Sequence, residues 1–573
     1  IPTENSNFFS DSLLINYKSS QPNYFSEIPT TPNQNLISYK AWESPSELID
    51  KATILRCVSY NNGVKTSKIY TKTFFVDDEI FDKYTLPVIS LITDGNSLFS
   101  ADSGIYVPGV NYNSNNPEWT GNYFMKGESW ERDVHIEYFK TDGSLEFSQD
   151  AGLRIHGGKT RQATQKSLRF YARNEYGKKY FNYPLLPQKQ VDNYKRFILR
   201  TTMGSWGGQS IIKDVLAHDI SRDLNIDYQD FQPVIVFLNG EYWGIQTIRD
   251  EIDENYIGYT HNVDLDSVEI KEWYNADYDN LIKFTENNDL ALNSNYEYVN
   301  TKIDMDNYID YTIAEFFFTN YDWPSNNMDL WRELPDGKWR WIFYDIDAGF
   351  GNEDYNMYIH STRNDSSVTW PNSPASTFLF RNLLKNNTFV TQFINRYAEI
   401  LNSDFDVKTT TSKLEKIRKL YEPEIESHIG RWNYPNSFDS WEEDIDSELL
   451  SFLQKRPCIV RKNTMSFFNL SSFDFDCDTT VNIHDNVFEN KHLILAPNPN
   501  TGNFSLLNSH SEIINATILI ININGQIMYR EDNVDMSKNE RKHLDLSTLP
   551  SNNYVIQIRS ANFTGQKKII IVK

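Results

Sequence analysis

An aspartate and an asparagine five positions apart precede two short aromatic segments that could form a hairpin. Asp322 and Asn327 come before a turn at residues 334–337, and Asp345 and Asp347 follow the second aromatic segment. The turn of a hairpin fixes its register and brings the outer ends of its strands side by side. We therefore expect three carboxylates and one amide oxygen to meet at one point. These are hard oxygen ligands, which suit Mg²⁺ or Mn²⁺.

The order of these residues matches the catalytic pattern of protein kinases and is also compatible with two other functions. Protein kinases use a catalytic-loop aspartate, an asparagine five residues later, a hairpin and then a metal-binding aspartate. In that interpretation Asp322 accepts the proton of a substrate hydroxyl. A pair of carboxylates, such as Asp322 with Asp345 or Asp347, would also suit a glycoside hydrolase. A non-catalytic surface adhesin is the third alternative.

Composition sets the class of protein before any motif is considered. The chain has 573 residues, so about three domains are expected. Its formal charge of −23 argues against a generic nucleic-acid or anionic-membrane surface. No run of about 18 apolar residues predicts a membrane span. The sequence begins at Ile1 without a recognisable signal peptide, so we expect either a processed or a truncated N-terminus.

Three cysteines are too few for a disulfide framework, and their spacing does not predict a metal site. Cys458 and Cys477 could pair across a loop, but the sequence fits a reduced pair equally well. The histidines form no HExxH pattern, which gives a zinc hydrolase no support.

A Gly-Gly bend followed by a polar loop and a lysine is the second candidate site. Gly157 and Gly158 bend the chain, Arg161 lies in the loop, and Lys166 opens the next strand. Backbone amides and a basic side chain in such a loop can hold a phosphate. The alternative is a surface hairpin with solvated Lys and Arg side chains. Asp214 or Asp219, on the helix predicted over residues 209–224, could pair with Lys166 as in kinases.

The elements around these sites form an α+β pattern. Residues 1–80 read as β segments, with strands at 52–60 and 67–75 around an Asn-Gly turn. A hairpin is predicted at 234–248, with a helix starting at 249–254. Residues 308–318 and 377–467 have helical spacing. The chain returns to β patterning from about residue 493.

The large central region resembles the spore coat protein H (CotH) kinase family. The resemblance covers about residues 86–467 and follows the family's order of motifs. These are Trp130-Glu131-Arg132, Gly152-x-Arg154-Ile155-His156-Gly157-Gly158, Lys166-Ser167-Leu168-Arg169, Asn239-Gly240-Glu241-Tyr242-Trp243-Gly244, Asp322-Trp323-Pro324-x-x-Asn327, and Trp339-x-Trp341 with Asp345-x-Asp347. The resemblance implies an atypical two-lobed kinase fold that binds ATP with Mg²⁺ or Mn²⁺ and phosphorylates Ser or Thr of secreted proteins.

The resemblance also implies a role for each matching residue. Lys166 corresponds to the lysine that contacts the nucleotide phosphates, and Asp322 to the catalytic-loop aspartate. Asn327, Asp345 and Asp347 correspond to metal ligands. Glu251 follows the strand after the Asn-Gly-Glu-Tyr-Trp-Gly turn, where a contact to the adenosine is expected. The tryptophans at 323, 339 and 341 are expected in the core.

Two flanking modules complete the predicted organisation. Residues 1–80 resemble a truncated chitobiase C-terminal-like β-sandwich module through the opening Ile-Pro-Thr segment. After a linker at 468–492, residues 493–573 resemble the type IX secretion sorting domain, through Pro497-Asn498-Pro499, the Asn524-Gly525 turn and the basic-apolar terminus. This implies engagement with the type IX secretion machinery, passage through the periplasm, and secretion or attachment at the outer surface.

Overall fold

The computed structural model describes residues 2–3, 5–9, 11–32, 40–77, 83–201, 203, 208–271, 275–477, 493–509, 512–522, 526–560 and 564–573. The chain divides into two compact units, residues 1–477 and 478–573. Both helices and strands are abundant in the first unit, so a mixed helix-and-sheet fold is confirmed. The two-lobed kinase core and the flanking sandwiches remain predictions.

The strands of the first unit are β1 (Thr53–Cys57), β2 (Tyr60–Asn61), β3 (Val64–Lys65), β4 (Tyr70–Phe74), β5 (Val88–Ile92), β6 (Arg132–Phe139), β7 (Leu145–Ile155), β8 (Leu168–Tyr171), β9 (Phe181–Asn182), β10 (Asn193–Tyr194), β11 (Arg196–Arg200), β12 (Asp227–Tyr228), β13 (Phe231–Leu238), β14 (Glu241–Arg249), β15 (Val268–Lys271), β16 (Asp329–Glu333) and β17 (Arg340–Phe343).

Its α-helices are α1 (Gly95–Phe99), α2 (Lys213–Ile220), α3 (Glu254–His261), α4 (Ala276–Asn287), α5 (Asn293–Asn300), α6 (Met305–Phe317), α7 (Met357–Ser361), α8 (Phe378–Leu383), α9 (Asn387–Leu401), α10 (Val407–Tyr421), α11 (Ile425–Trp432), α12 (Phe438–Asp444) and α13 (Ser451–Phe468). A π-helical turn at Ile445–Leu450 joins α12 to α13.

Seven strands close into a barrel in the order β11-β14-β13-β5-β6-β7-β8. The β13–β14 hairpin turns at Asn239 and Gly240, both with positive φ, which confirms the hairpin prediction. A Cβ on Gly240 would lie 2.7 Å from the Ala52 carbonyl oxygen, so this position needs a glycine. Strand β14 extends through Arg249, so the helix predicted to start there begins only at Glu254, after the N-cap Asp253.

Helices α9 and α13 pack against α6, whose side chains are almost all buried. Helix α6 ends immediately before the acidic loop, and α13 holds that end in place. Arg456 on α13 donates from Nη2 to the Phe316 carbonyl (2.6 Å) and from Nε to the Phe317 carbonyl (2.9 Å). These bonds satisfy carbonyls that a helix C-terminus otherwise leaves unpaired.

The N-terminal segment packs on the rest of the first unit. Strands β1 and β4 pair antiparallel, with Thr53 opposite Phe74, which confirms the predicted hairpin. The buried Glu241 carboxylate accepts from the Tyr24 and Ser26 backbone amides at 2.6 and 2.7 Å. Whether residues 1–80 form a chitobiase-like module stays a prediction.

A disulfide joins Cys458 on α13 to Cys477 at the end of the first unit. The pair whose redox state the sequence left open is therefore bonded here. Cys57 is free and exposed. None of the helices in the described ranges combines the length and apolar character that a bilayer crossing needs.

The second unit contains β18 (Leu493–Ala496), β19 (Asn503–Asn508), β20 (Ile513–Asn522), β21 (Ile527–Met536), β22 (Arg541–Asp545), β23 (Asn552–Arg559) and β24 (Thr564–Ile571). They form a three-stranded and a four-stranded sheet that share one apolar core. Asn498 bridges to β24, donating to the Lys568 carbonyl and accepting from the Ile570 amide, both at 2.8 Å. The predicted Asn524-Gly525 turn and the linker beyond residue 477 lie outside the described residues.

Candidate active site

The predicted hairpin forms and gathers the acidic residues at its base. Strands β16 and β17 pair antiparallel, with Asp329 opposite Ile342. Asn327 donates from Nδ2 to Asp322 Oδ2 at 3.2 Å and to the Asp345 carbonyl at 3.5 Å. Asn327 and Asp345 both have left-handed backbone, with φ of 53° and 61°. These strained turns direct the two loop segments toward each other, as often occurs at functional sites.

Arg200, at the end of barrel strand β11, lies against the second half of this acidic group. Its Nη2 atom is bonded to Asp345 Oδ1 and lies 3.2 Å from Asp347 Oδ2. Its Nε atom is 3.9 Å from Asp214 Oδ2 on helix α2. The barrel, helix α2 and the segment after the hairpin therefore meet at one guanidinium.

A second arginine completes the network. Arg249 on β14 donates from Nη1 to Asp214 Oδ2 at 2.6 Å. The other oxygen of Asp214 accepts from the Ile346 amide at 3.0 Å, which anchors the segment between Asp345 and Asp347. Asp214 thus pairs with arginines, and Asp219 contacts Arg222 at 3.1 Å.

Burial and neighbouring groups shift the pKa values of two carboxylates at this site. Burial, and then the neighbouring Asp345, raise the pKa of Asp347 to about 7 in spite of Arg200. Burial also raises the pKa of Asp322, while a hydrogen bond from Asn326 opposes the rise. Asp347 and Asp322 therefore hold a proton more readily than an exposed aspartate does.

A small cavity opens beside Arg200. Its volume is about 30 Å³, enough for one or two water molecules. It is lined by Arg200, Thr201, Ile211, Lys213, Asp214, Val215, Thr247, Arg249 and Asp347. Small-molecule sites commonly enclose about 300 Å³ or more, so a nucleotide would require this cavity to widen.

The Gly-Gly loop folds back on its own basic side chains. Gly157 has a φ of 101°, and its carbonyl accepts from Arg161 Nε at 2.6 Å. Lys166 is fully buried, with Nζ 3.0 Å from the Arg161 carbonyl and 2.9 Å from the Ala163 carbonyl. Nζ also lies 4.0 Å from the centre of the Tyr123 ring. Burial lowers the pKa of Lys166 well below its usual value.

Glu251 is linked to the Gly-Gly bend through two intervening side chains. Arg169 Nη2 lies 2.7 Å from Glu251 Oε1 and donates to His156 Nδ1 at 2.6 Å. His156 directly precedes Gly157. Burial raises the pKa of Glu251 to about 7, although Arg169 lowers it. The structure thus links Gly157 to Glu251 through His156 and Arg169, and it brings Asn327 to Asp322 and to the Asp345 carbonyl. Asp347 joins Asp345 through Arg200, and Lys166 does not line the cavity beside Arg200.

Sequence reasoning missed Arg200 and Arg249 as members of the site. Both end an apolar barrel strand with a charged residue, in the segments Arg-Phe-Ile-Leu-Arg and Gln-Thr-Ile-Arg. A charge at the end of a buried strand is the signal that could have identified them. The tryptophans at 323, 339 and 341 are 3%, 2% and 1% exposed, which confirms that they belong to the core.

Two family models match parts of this chain. A family model described as CotH kinase protein matches residues 153–460, more than half of the chain. The chain therefore belongs to the CotH kinase protein family. A second model, the secretion system C-terminal sorting domain, matches residues 495–572.

A solved structure is similar to part of this chain. It is the crystal structure of a Helicobacter pylori proinflammatory kinase, CtkA, with 10% sequence identity. The similarity covers 48% of this chain and 92% of that chain, with a TM-score of 0.24. A score this low supports no argument about shared geometry. Comparison with curated proteins finds no match.

Proposed function

We propose that this protein is a secreted atypical protein kinase that transfers the γ-phosphoryl group of ATP to Ser or Thr of extracellular or surface proteins. The observation that carries the proposal is the contact of Asn327 with both Asp322 and the Asp345 carbonyl at the base of one hairpin. Arg200 joins Asp347 to Asp345. Membership of the CotH kinase protein family supports the same reaction class.

Asp322 is the proposed catalytic residue that orients the substrate hydroxyl and accepts its proton. It is partly exposed, and its carboxylate is fixed by donors from Asn326 (2.6 Å) and Asn327 (3.2 Å). Its raised pKa makes it a better proton acceptor than an ordinary aspartate. Most of the rate enhancement would come from positioning and electrostatics, as is usual for phosphoryl transfer.

The acidic residues fit a divalent cation. Asp214, Asp322, Asp345 and Asp347 outnumber the two arginines, and burial, followed by the neighbouring Asp345, raises the pKa of Asp347. In the described ranges, however, no group of three or more His, Cys, Asp or Glu is already arranged as a metal site. Asn327, Asp345 and Asp347 are the proposed ligands. These side chains would hold Mg²⁺ or Mn²⁺, which would supply positive charge to neutralise the nucleotide phosphates.

The nucleotide phosphates are proposed to bind between the Gly-Gly loop and Arg200. Gly157, Gly158, Arg161, Lys166 and Glu251 remain the predicted nucleotide-binding set. Because Lys166 and Arg161 are bonded to backbone carbonyls, the loop must rearrange before either can reach a phosphate. Arg200 already faces the acidic cluster, so we assign it the role of a phosphate-contacting cation alongside Lys166.

Export is the proposed cellular context. The C-terminal match to a secretion sorting domain indicates engagement with secretion machinery. We propose type IX secretion through the periplasm, followed by release or attachment at the outer surface. Secreted or surface proteins are then the available substrates.

One observation favours a second function, a non-catalytic surface-binding protein on the same fold. Arg200 already bridges Asp345 and Asp347, so these carboxylates have a counter-charge without a metal. In a protein of this kind the acidic cluster would stabilise the fold and bind no nucleotide.

Phosphoryl transfer from radiolabelled ATP tests the proposal. The full chain is incubated with Mg²⁺ or Mn²⁺ and a mixture of secreted proteins, and phosphorylation is mapped by mass spectrometry. We expect labelling that Asp322→Asn abolishes and that the matched variant Asp336→Asn, at the exposed turn of the same hairpin, retains. Labelling that survives in Asp322→Asn would refute the assignment. Absence of both labelling and nucleotide-dependent thermal stabilisation in the wild type would favour the non-catalytic function.

A further inference from the structure

Two exposed aromatic rings lie beside Asp322. Trp370 is 49% exposed and Tyr321 is 42% exposed, whereas the tryptophans at 323, 339 and 341 are buried. The ring centroids of Tyr321 and Trp370 are 5.8 Å apart and the ring planes are inclined by 77°. Trp370 lies close enough to Asp322 to lower the pKa of that carboxyl, which burial raises. Large exposed aromatic side chains next to a reactive group commonly mark a binding surface.

A partly buried tyrosine and a buried histidine support the Tyr321 ring. Tyr321 packs edge-on against Tyr355 at 5.9 Å, and its ring lies 5.8 Å from that of His360. His360 is 2% exposed, with Nε2 2.5 Å from the Trp323 carbonyl oxygen and Nδ1 2.8 Å from the Tyr355 hydroxyl. The rings are therefore held in place before any partner binds, which lowers the entropic cost of binding.

The segment that carries Trp370 is also tied to the loop that carries Asp322. The Ser325 amide donates to the Pro371 carbonyl at 2.9 Å, and Ser325 Oγ donates to Ser376 Oγ at 2.9 Å. Because both segments are joined in this way, the position of the rings relative to Asp322 is fixed by the fold.

The geometry of the rings indicates what they bind. The planes of the two rings are nearly perpendicular, so together the rings form a corner. Such a corner fits a compact branched or cyclic apolar side chain. A sugar ring stacks best on one open face. In an extended peptide, residues two apart lie on the same side, about 7 Å from each other. A side chain within two positions of a hydroxyl at Asp322 would therefore reach the corner.

We propose that Trp370 and Tyr321 form an acceptor-docking corner that selects polypeptides with an apolar residue within two positions of the modified Ser or Thr. The identity of the acceptor rests on the proposed function, whereas binding of the peptide to the corner needs no phosphoryl transfer. The corner is a specificity determinant that lies outside the predicted nucleotide and metal residues.

Calorimetric titration of the full chain with pairs of short synthetic peptides tests the corner. Each pair shares one central Ser and differs only in the flanking positions, which are Leu or Pro in one peptide and Gly in the other. We expect the wild type to bind the apolar-flanked peptide about tenfold more tightly, the effect of losing one interface anchor. The measured quantity is the ratio of the two dissociation constants. A change at Asp322 that affects both peptides equally therefore leaves this ratio unaltered.

Variants then test whether the ratio of the two dissociation constants depends on the corner. Trp370→Ala and Tyr321→Ala should each bring the ratio close to one. Trp119 is a tryptophan elsewhere in the chain that is 56% exposed, so Trp119→Ala should leave the ratio unchanged. Any of three results would overturn the proposal. These are a wild-type ratio near one, a ratio that persists in both corner variants, and Trp370-dependent binding of oligosaccharides instead of peptides. If phosphorylation fails but the ratio holds, the proposed reaction is wrong and the corner stands.

Discussion

Arg200 Nη2 lies 3.2 Å from Asp347 Oδ2 and is bonded at the same time to Asp345. The arginine ends a barrel strand, and the two aspartates follow the hairpin strand β17. This one guanidinium therefore links the barrel to the acidic loop. It also holds together two carboxylates that would otherwise repel each other across a partly buried gap.

Removing this guanidinium should destabilise the protein and make it dependent on divalent ions. Arg200→Ala leaves Asp214, Asp345 and Asp347 short of a counter-charge, so we expect the free energy of unfolding to fall by about 3 kcal/mol. Mn²⁺ should restore part of this loss, because it supplies the missing positive charge. Urea denaturation with and without Mn²⁺ measures both effects.

The control for this experiment is the exposed ion pair between Arg363 and Asp365, whose side chains are 46% and 49% exposed. Arg363→Ala should cost less than about 1 kcal/mol and show no added response to Mn²⁺. Equal losses in the two variants would contradict the structural role of Arg200.

Lys166 offers a second test, because its amino group is fully enclosed. Lys166→Met leaves the Arg161 and Ala163 carbonyls without their donor, and we expect a loss of about 2 kcal/mol in stability. At a temperature where both variants remain folded, ATP affinity should fall more in Arg200→Ala than in Lys166→Met. Titration with a fluorescent ATP analogue measures this order. The reverse order would show that the loop opens and that Lys166 is the principal phosphate contact.

Glu315 should give the protein a pH-dependent stability. It is buried on α6, its Oε2 accepts from Asn320 Nδ2 at 2.8 Å, and burial raises its pKa from 4.5 to about 8. The folded state thus binds a proton that the unfolded state releases between these two values. Its contribution to stability is complete below pH 4.5 and is lost as pH rises through about 8.

The variant Glu315→Gln keeps the shape of the side chain and removes its titration. Urea denaturation from pH 5 to 8.5 should show a shallower decline in stability for this variant than for the wild type. Glu286→Gln, at an exposed position on α4, should reproduce the wild-type profile. Identical profiles for wild type and Glu315→Gln would show that Glu315 is ionised throughout this range.

The disulfide between Cys458 and Cys477 should contribute measurably to the stability of the first unit. It closes a loop with a sequence separation of 19 residues, for which the entropic estimate is about 3 kcal/mol. Cys458→Ser should lower the denaturation midpoint, and reductant should have little further effect on that variant. Cys57→Ser, at the free exposed cysteine, should behave as the wild type does. An unchanged midpoint in Cys458→Ser would indicate that the loop is held by its other contacts.

Local patterns in the sequence were enough to predict the elements that carry the acidic site. The β16–β17 hairpin, helix α6 and the buried tryptophans follow from turn residues and apolar spacing, and all three are confirmed. The convergence of Asn327 with Asp345 follows from the hairpin register, since a turn determines which strand ends meet.

The partners of these residues depend on contacts distant in sequence, which local patterns do not contain. Arg200 meets Asp345 across 145 positions, and Lys166 lies over the ring of Tyr123, 43 positions earlier. The predicted helix at 209–224 is shorter in the structure, because only Lys213–Ile220 is helical. The sequence favours solvated or cap-adjacent positions for Asp214 and Asp219, with a pairing of either to Lys166 as the alternative. In the structure Asp214 instead contacts the arginines at 200 and 249.

If the C-terminal unit is exported through secretion machinery, as proposed, the disulfide has a mechanical consequence. Tension applied beyond Cys477 reaches α13 first through a covalent bond at Cys458, two residues from Arg456. Residues 469–476, which follow α13, are thereby shielded from the load, because the covalent bond bypasses them. A protease that trimmed the tail after Cys477 would likewise leave a chain end that is joined covalently to α13. The disulfide should therefore keep this end attached to α13 during both pulling and trimming.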